Sequence, residues 1–348
     1  MSCAGPPQTS SHRRARHGGY PECAAPRSPA QAGAAARQGE GTPVNTQRGA
    51  ALLAAMLTVT LVATLAATAL WQQWRAVEVE AAERARVQST WLLTGALDWA
   101  RLILRQDAIT GGADHLAEPW SVPLNEARLS TFLSMDTSSA DADRDAFLSG
   151  QITDLQGRMN LTNLIEDGKL SLPASQALAR LFDQLGLAPA ELDLLTQGML
   201  AASQVVKEGQ APNPQQPLLP RTLDQLTWLG LSPATTTALR PFVTILPERT
   251  PINLNTASAE VIQATVPGLD RASAARLVNE RERSHFANLA DATRLVPALG
   301  DSGAGAQLAV NSRFFEVRGR VRLDQSVVEE VSVVQRDGVT VRTLTRSR

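Results

Sequence analysis

The stretch QRGAALLAAMLTVTLVATLAATALWQQW, residues 47–74, decides the fold of this 348-residue chain. The 25 residues from 50 to 74 carry no charge. As a helix they would extend about 37 Å, more than the roughly 30 Å core of a bilayer. A secretory signal has a shorter apolar region and ends at a small-residue cleavage site, so this stretch predicts a membrane-spanning helix.

The helical pattern continues beyond the apolar stretch. No proline or glycine interrupts it between Arg75 and Gly95, and apolar residues recur between the charges. These apolar positions are Ala81, Ala85, Trp91, Leu92, Trp99 and Ile103. We expect one long helix whose second half is amphipathic and which ends after Asp107, where Gly111 and Gly112 supply stop signals.

The charge distribution predicts the orientation of this helix. Residues 1–49 contain six arginines and two glutamates, a net charge of +4, whereas the remainder has 27 basic and 32 acidic residues, a net charge of -5. The positive-inside rule then places the N-terminus in the cytoplasm and the main body on the other side of the membrane. A mildly acidic body does not indicate a nucleic-acid partner. Both cysteines, Cys3 and Cys23, lie in the basic segment, so no disulfide stabilises the body.

The start of the apolar stretch resembles a processing site. Gly49, preceded by Gln47-Arg48, is similar to the position where prepilin peptidase cuts type IV pilin-like proteins, here before Ala50. The glutamate usual at the fifth mature position of such proteins is Ala54 here. A plain single-pass anchor is the alternative interpretation. We also hypothesise that translation starts at Val44, which would make residues 1–43 a start-site artefact.

Two groups of strands flank a long helical region. AFLSGQITDLQGRMNLTNL, residues 146–164, alternates as strand, turn and strand with Gly157 at the turn, and Asp337-Gly338 marks a hairpin near the end of the chain. The closing strands share an apolar face made of Phe315, Val317, Val321, Val331, Val333 and Val341. We expect this face to pack on the amphipathic half of the long helix, with the helical region inserted into one sheet.

The helical region contains an internal repeat. LGLAPAELDLL, LGLSPATTTAL and PGLDRASAARL each place a glycine and a leucine between two helical runs. The glycines are Gly186, Gly230 and Gly268, and Asp270 is expected to cap the helix that follows the third. The sequence therefore predicts helix, glycine turn and helix two or three times over.

The segment from 251 to 296 resembles the helix-hairpin-helix modules of competence DNA receptors, which makes DNA binding the alternative function. Phosphate binding there needs a second glycine, whose place is taken by Asp270 and, in the other copies, by Ser232 and Ala188. Five acidic and five arginine residues between 251 and 300 also cancel, whereas binding by counterion release needs excess cations. We therefore expect no nucleic-acid partner.

Metal and catalytic signals are weak. Asp141, Asp143 and Asp145 alternate as in a calcium loop, but the sixth position is Ala146 and the twelfth is Ile152. Apart from calcium at these weak candidates, we expect no cofactor. His12, His17, His115 and His285 have no ligand partners at metal-binding spacing, so the last two are interpreted as ordinary surface residues. No phosphate loop or nucleophile elbow occurs, and we expect no enzymatic activity.

Several segments together resemble the general secretion pathway protein K family of minor pseudopilins. These are GRMNLTNL at 157–164, PRTLDQLTWLGLSPATTTALRPFVTIL at 220–246, the segment from 251 to 296, and LAVNSRFFEVR at 308–318. They occur in the family's order, and the resemblance extends from Gln47 to Arg348. The long leader and the weak calcium loop depart from the family pattern.

The resemblance implies an α+β fold: a type IV pilin-like long N-terminal helix on a small antiparallel sheet, with a large all-α, helix-hairpin-helix or SAM-like domain inserted. The expected divisions are a cleaved leader at 1–49, a transmembrane half-helix at 50–74, a periplasmic helix half with the first strands at 75–164, the inserted domain at 165–306 and closing strands at 307–348.

The resemblance further implies a function. Prepilin peptidase would cut after Gly49 and methylate Ala50, and Leu52, Leu53, Leu57 and Leu61 would pack against neighbouring helices. The mature protein would join the H, I and J minor pseudopilins at the tip of the type II secretion pseudopilus, which exports folded proteins through the outer membrane. Ala54 fits the tip, since the usual glutamate neutralises the amine of a subunit above, and buried unpaired charge is costly.

Overall fold

The computed structural model describes residues 48–128, 146–204, 216–301, 304–323 and 326–348. The chain divides into two compact units, Met1–Thr68 and Ala69–Arg348. The described part of the first unit is entirely helical. It belongs to helix α1, Arg48–Thr110, whose 63 residues confirm the predicted single long helix. Gly111 and Gly112, both with positive φ, follow its end.

The second half of α1 has one buried face. Leu93, Leu97, Ala100 and Leu104 follow helical spacing and are at most 6% exposed. The expectation that Trp91 and Trp99 belong to this face was wrong, because they are 71% and 50% exposed. The buried ridge approaches the sheet too closely for indole rings: a Cβ added to Gly319 would lie 3.0 Å from Leu93 Cδ2. Leucine and alanine fit where tryptophan does not.

The strands of the described residues form one main sheet and three small pairs. They are β1 (Leu124–Arg128), β2 (Ala146–Asp154), β3 (Met159–Asn160), β4 (Ile165–Glu166), β5 (Lys169–Leu170), β6 (Val243–Thr244), β7 (Ile252–Asn253), β8 (Leu308–Ala309), β9 (Phe314–Leu323), β10 (Ser326–Asp337) and β11 (Thr340–Ser347). The main sheet has the order β1-β2-β9-β10-β11 and is antiparallel throughout. Since β2 and β9 are neighbours, everything between them is an insertion into the sheet.

The main sheet packs on α1 as expected. Leu97, Ala100 and Leu104 share a core with residues of the sheet and of the segment that follows α1. Those residues are Trp120, Ile152, Phe315, Val317, Val334 and Val341. The hairpin between β10 and β11 is confirmed, with Asp337 paired to Thr340 and Gly338 at φ 55°, a conformation that glycine adopts without strain.

The predicted apolar face was wrong for strand β10. Val331 and Val333 lie on the side away from α1, where Val333 packs on Leu155, Leu246 and Phe314. The side facing α1 carries Glu330, Ser332, Val334 and Arg336 instead, and all four are buried. The alternation of apolar residues predicted the wrong inward face for β10. Polar side chains can be buried on the inward face because they have ion-pair partners distant in sequence, as Glu330 has in Arg346 and Arg348.

The predicted strand–turn–strand at residues 146–164 is present, but its two strands do not pair with each other. After β2 the chain forms a 3₁₀ turn at Leu155–Gly157, and β3 then pairs in parallel with β6. A Cβ on Gly157 would lie 2.9 Å from Thr256 Oγ1 and 3.1 Å from the Thr256 carbonyl oxygen. Glycine at this position therefore allows the inserted chain to pass directly against the end of β2.

The insertion contains two hydrophobic cores. Its helices are α2 (Leu172–Leu185), α3 (Pro189–Ser203), α4 (Pro233–Leu239), α5 (Ala259–Thr265), α6 (Arg271–Arg283), α7 (Leu289–Leu295) and α8 (Ala298–Asp301). The first core joins α2, α3, α4 and the 3₁₀ helix Leu223–Leu229, centred on Leu178, Leu181 and Leu226. The second joins α5, α6 and α7, centred on Ile262 and Leu277.

An arginine connects the two cores. Arg180 of α2 donates to the carbonyl oxygens of Ala264, at 2.7 Å, and Thr265, at 3.3 Å, near the end of α5. These carbonyls have no partner within their own helix, and a cation at a helix C-terminus also interacts favourably with the helix dipole. The two cores therefore pack as one body.

Candidate assembly site

The first candidate site is the apolar half of α1. Within the described residues, α1 is the one helix long and apolar enough to cross a membrane. Leu52, Leu53, Leu57 and Leu61 are 60–70% exposed and belong to none of the hydrophobic cores that the described residues form, so they can meet lipid or other helices. Gly49, Ala50 and Ala54 are exposed near the start of the same helix.

The polar groups of this segment are satisfied internally. Thr58, Thr60, Thr64 and Thr68 each donate their hydroxyl to the carbonyl three residues earlier, at 2.8–3.0 Å. Such bonds let hydroxyls enter hydrocarbon without an unpaired donor. The segment therefore suits an environment without water.

Aromatic residues mark the end of the apolar segment. Trp71 and Trp74 are 59% and 62% exposed, and the Arg75 guanidinium lies 4.9 Å from the centre of the Trp71 ring. Tryptophan and arginine prefer the membrane–water interface, so this pair is where the helix would leave the bilayer.

The second candidate site is a polar junction where the insertion leaves and rejoins the sheet. Asp154, at the end of β2, accepts hydrogen bonds from Ser312 Oγ and Thr256 Oγ1, both at 2.6 Å. It also accepts from the Gln156 backbone N–H at 2.7 Å and from Asn253 Nδ2 at 3.1 Å. Burial raises the pKa of Asp154, and these hydrogen bonds oppose the rise. One carboxyl group thus ties together three separate passages of the chain.

An arginine from the sheet completes this junction. Arg336 of β10 is 9% exposed and pairs with Asp114 at 2.5 Å and with Asp107 at 2.5 Å. Its guanidinium also donates to the Ser312 carbonyl at 2.8 Å. Burial raises the pKa of Asp114 to about 6 even though Arg336 opposes the rise. One guanidinium therefore connects the end of α1, strand β10 and the segment in which the chain returns from the insertion to the sheet.

Carboxylate oxygens of Asp107, Asp114 and Glu118 lie within 4.8 Å of one another. Because Arg336 already occupies Asp107 and Asp114, the geometry is that of an ion-pair network. The calcium candidates Asp141, Asp143 and Asp145 lie outside the described residues, so calcium binding there stays a prediction.

The glycine turns all have the left-handed backbone that favours glycine. The φ angles of Gly186, Gly230 and Gly268 are 64°, 94° and 75°. Each glycine follows a helix or 3₁₀ helix and precedes α3, α4 or α6. The repeat therefore gives three similar helical hairpins, the last of them next to Asp270.

Two features of these hairpins weigh against DNA binding. Asp270 Oδ1 accepts the Ser273 backbone N–H at 2.9 Å, and hydrogen bonds from Ser273 hold the pKa of this carboxyl below its usual value. An anion therefore occupies the helix start where a phosphate would bind. Arg281 is turned inward, donating to the Leu254 carbonyl, and burial lowers its pKa to about 10.

His115 is half-buried and His285 is exposed, as surface residues are, but the two side chains contact each other. Their rings stack with centroids 3.7 Å apart and planes 8° apart, which joins the segment after α1 to the loop between α6 and α7. The sequence interpretation missed this contact because the two residues are 170 positions apart and neither belongs to a recognisable motif.

Comparison with known proteins decides the family. Two family models described as type II secretion system protein K match residues 157–248 and 252–311, and these ranges coincide with the two cores of the insertion. The chain belongs to the type II secretion system protein K family. This is a family of secretion pseudopilins and not an enzyme class, and the predicted family and the predicted role as a minor pseudopilin of type II secretion are confirmed.

Relatives of protein K span most of the chain. The type II secretion system protein K of Pseudomonas aeruginosa is 29% identical over 323 residues, covering 87% of this chain and 90% of that protein. The Klebsiella pneumoniae protein K is 26% identical over 323 residues, covering 84% and 94%. The similarity therefore extends well beyond the segments matched by the family models.

A solved structure supports the fold. The crystal structure of the GspK-GspI-GspJ complex from the type 2 secretion system of enterotoxigenic Escherichia coli matches with a TM-score of 0.60 and 17% identity. The match covers 76% of this chain and 97% of the matched chain in that structure. The predicted α+β architecture of the protein K family is thus confirmed, and the DNA-receptor alternative is not favoured.

Proposed function

We propose that this protein K acts at the tip of the type II secretion pseudopilus, where it joins the H, I and J minor pseudopilins and primes the filament for export of folded proteins. The observation that carries the proposal is the continuous helix α1, apolar in its first part and packed on a pilin-like sheet in its second. The GspK-GspI-GspJ complex of the matched structure supports partners of this kind.

Membrane anchoring is supported by the apolar helix, and we propose its orientation from charge. Six arginines precede the span and none lies within it, which favours a cytoplasmic N-terminus and a periplasmic body at the bacterial inner membrane. The proposed role is assembly alone, without a catalytic step or a resident cofactor.

Replacing Gly49 tests the proposal at its first step. We expect the wild-type protein, co-expressed with prepilin peptidase, to begin at an N-methylated Ala50, and Gly49→Leu to stay uncut. Intact mass and N-terminal sequencing of the membrane fraction would report this, with Gly95→Leu, at an exposed glycine in the second half of α1, as a control that leaves processing unchanged. An uncut wild-type protein would contradict the pseudopilin proposal and leave a plain single-pass anchor.

The tip position has its own test in Ala54→Glu. At the tip no subunit amine lies above to neutralise the new carboxylate, so we expect normal membrane insertion and a modest loss of the minor-pseudopilin complex. The loss should stay below about tenfold, or 1.4 kcal/mol. Co-purification of the H, I and J components from membranes would measure it.

Ala55→Glu is the matched control for this experiment, because it adds the same charge where no subunit amine would meet it. Similar losses for both variants are expected at the tip. If Ala54→Glu keeps the complex while Ala55→Glu loses it, a neighbouring amine neutralises Glu at position 54 and the chain lies within the filament. If both variants recover as much of the complex as wild type does, alanine at position 54 does not indicate a place at the tip.

A further inference from the structure

The stacked histidines bring together two separate parts of the periplasmic unit. His115 lies in the segment that follows α1, beside the polar junction, and His285 lies in the loop between α6 and α7 of the second core. A centroid distance of 3.7 Å with nearly parallel planes is contact over the full ring faces. The proton state of two imidazoles therefore bears directly on how the insertion meets the sheet.

A hydrogen bond to the ring of His115 shows which nitrogen carries the proton when the imidazole is neutral. The Ala117 backbone N–H donates to His115 Nδ1 at 3.2 Å, so the neutral ring carries its proton on Nε2. The His115 backbone N–H donates to Glu118 Oε2 at 3.0 Å. This arrangement suits a neutral imidazole, since Nδ1 is needed as an acceptor.

The charged groups around the stack come from several elements. Asp107 of α1 acts on His115 directly, while Asp114 and Glu118 lie on the same segment as His115. Arg336 of β10 holds both Asp107 and Asp114, so much of their charge is already compensated. His285 comes from the insertion. Burial and then the proximity of His285 lower the pKa of His115, and Asp107 only partly opposes them.

Hydrogen bonds to Asn255 attach the loop that carries His285 to the second core. The Phe286 backbone N–H donates to Asn255 Oδ1 at 2.9 Å, and Asn255 Nδ2 donates to the Phe286 carbonyl at 3.0 Å. Phe286 is 4% exposed in the second core, whereas His285 is exposed. The Phe286 amide is therefore a natural reporter of whether this loop stays closed.

We propose that the His115–His285 stack is a pH-sensitive contact, which holds the loop at residues 284–286 against the segment after α1 when the rings are neutral and releases it when both are protonated. Two positive rings at this distance repel each other, and protonation of His115 Nδ1 also removes the acceptor for the Ala117 N–H. The proposal concerns this contact alone and is independent of the chain's place in a filament.

The expected direction follows from linkage. A histidine whose pKa is lower in the folded state contributes stability that is complete above 6.5 and lost as the pH falls through its folded pKa. Glu118 acts in the opposite sense, because burial, with smaller effects from its neighbours, raises its pKa to about 7. Its stabilising effect is complete below 4.5 and lost as the pH rises through about 7. Acid opening of the loop is thus assigned to the histidines and not to Glu118.

Hydrogen exchange of the full chain in detergent tests the proposal, with a chelator present throughout to remove divalent cations. Exchange at residues 284–289, corrected for intrinsic rates, is compared at pH 7.5 and 5.5. In the wild type we expect a rise of about threefold to tenfold at pH 5.5, which corresponds to weakening the contact by about 0.7–1.4 kcal/mol. His285→Phe keeps an aromatic stack without a titrating group and should show no rise.

Two further measurements test whether the acid response comes from the histidines and not from Glu118. Glu118→Gln removes the neighbouring carboxyl and should keep the acid response; loss of the response in this variant would overturn the assignment to the histidines. With ¹³C-labelled histidine, NMR should show the pKa of His115 moving up in His285→Phe and in His285→Gln. An unchanged His115 titration, or equal acid opening in wild type and His285→Phe, would also overturn the proposal.

Discussion

Replacing Arg336 with alanine is expected to lower the free energy of unfolding of the second compact unit, Ala69–Arg348, by about 3–5 kcal/mol, the range for removing one partner of a buried ion pair. Arg336 is 9% exposed and pairs with both Asp107 and Asp114. Alanine would leave both carboxylates without their cation and the Ser312 carbonyl without its donor. Urea unfolding of the full chain in mild detergent, followed by circular dichroism, would measure the loss.

The loss at Arg336 should depend on pH. The pKa of Asp114 is raised to about 6 with Arg336 present, because burial outweighs the guanidinium, and it must be higher without it. Well below pH 6, Asp114 is then neutral in both wild type and Arg336→Ala, so loss of the arginine costs less stability there. We therefore expect the difference between wild type and Arg336→Ala to be larger at pH 8 than at pH 5.

Arg313→Ala is the matched control for Arg336→Ala. Arg313 also forms two ion pairs, with Glu248 at 2.9 Å and Asp337 at 3.9 Å, but its side chain is 48% exposed. Exposed pairs contribute about 0–1 kcal/mol. Equal losses for the two variants, or a loss at Arg336 that does not change with pH, would contradict the buried network described for the junction.

Features with a local sequence signal were predictable. The single long helix follows from an uninterrupted helical pattern, and the β10–β11 hairpin follows from Asp337-Gly338, whose turn needs a positive φ. The insertion of the helical region into one sheet also followed from the sequence, since two groups of strands flank that region. For the helix and the hairpin, residues close in sequence determine the conformation.

The polar junction was not predictable, because its partners are distant in sequence. Asp154 meets Ser312 across 158 positions, and Arg336 meets Asp114 across 222. Nothing in the strand β10 pattern distinguishes a buried Arg336 from an exposed one, so alternation placed Val331 and Val333 inward instead. A buried polar side chain has to be satisfied, but only the fold shows which distant group satisfies it.

The prediction that Trp91 and Trp99 belong to the buried face of α1 failed for a related reason. Periodicity identifies an apolar stripe on a helix, but Trp91 and Trp99 lie opposite the narrower ridge of leucine and alanine that meets the sheet. The ridge is selected by Gly319, which admits Leu93 at close range. The closeness of that approach depends on a strand more than 200 residues away and therefore has no trace in the helix itself.

Leu104→Ala tests whether this ridge holds the helix to the sheet. Leu104 is fully buried among Leu97, Trp120 and Phe315, so we expect a loss of about 2–5 kcal/mol in the free energy of unfolding. Leu102, two residues earlier on the same helix, is 60% exposed, and Leu102→Ala should change it by less than about 0.5 kcal/mol.

Because both substitutions replace leucine by alanine within one helix, the change in helix propensity is the same for each and cancels in the comparison. The difference between Leu104→Ala and Leu102→Ala therefore measures packing against the sheet alone. Chemical unfolding of the full chain in detergent, under identical conditions for the two variants, gives that difference directly. Two equal losses would mean that α1 does not pack through the ridge of Leu93, Leu97, Ala100 and Leu104, and that a different face of the helix carries the pilin-like sheet.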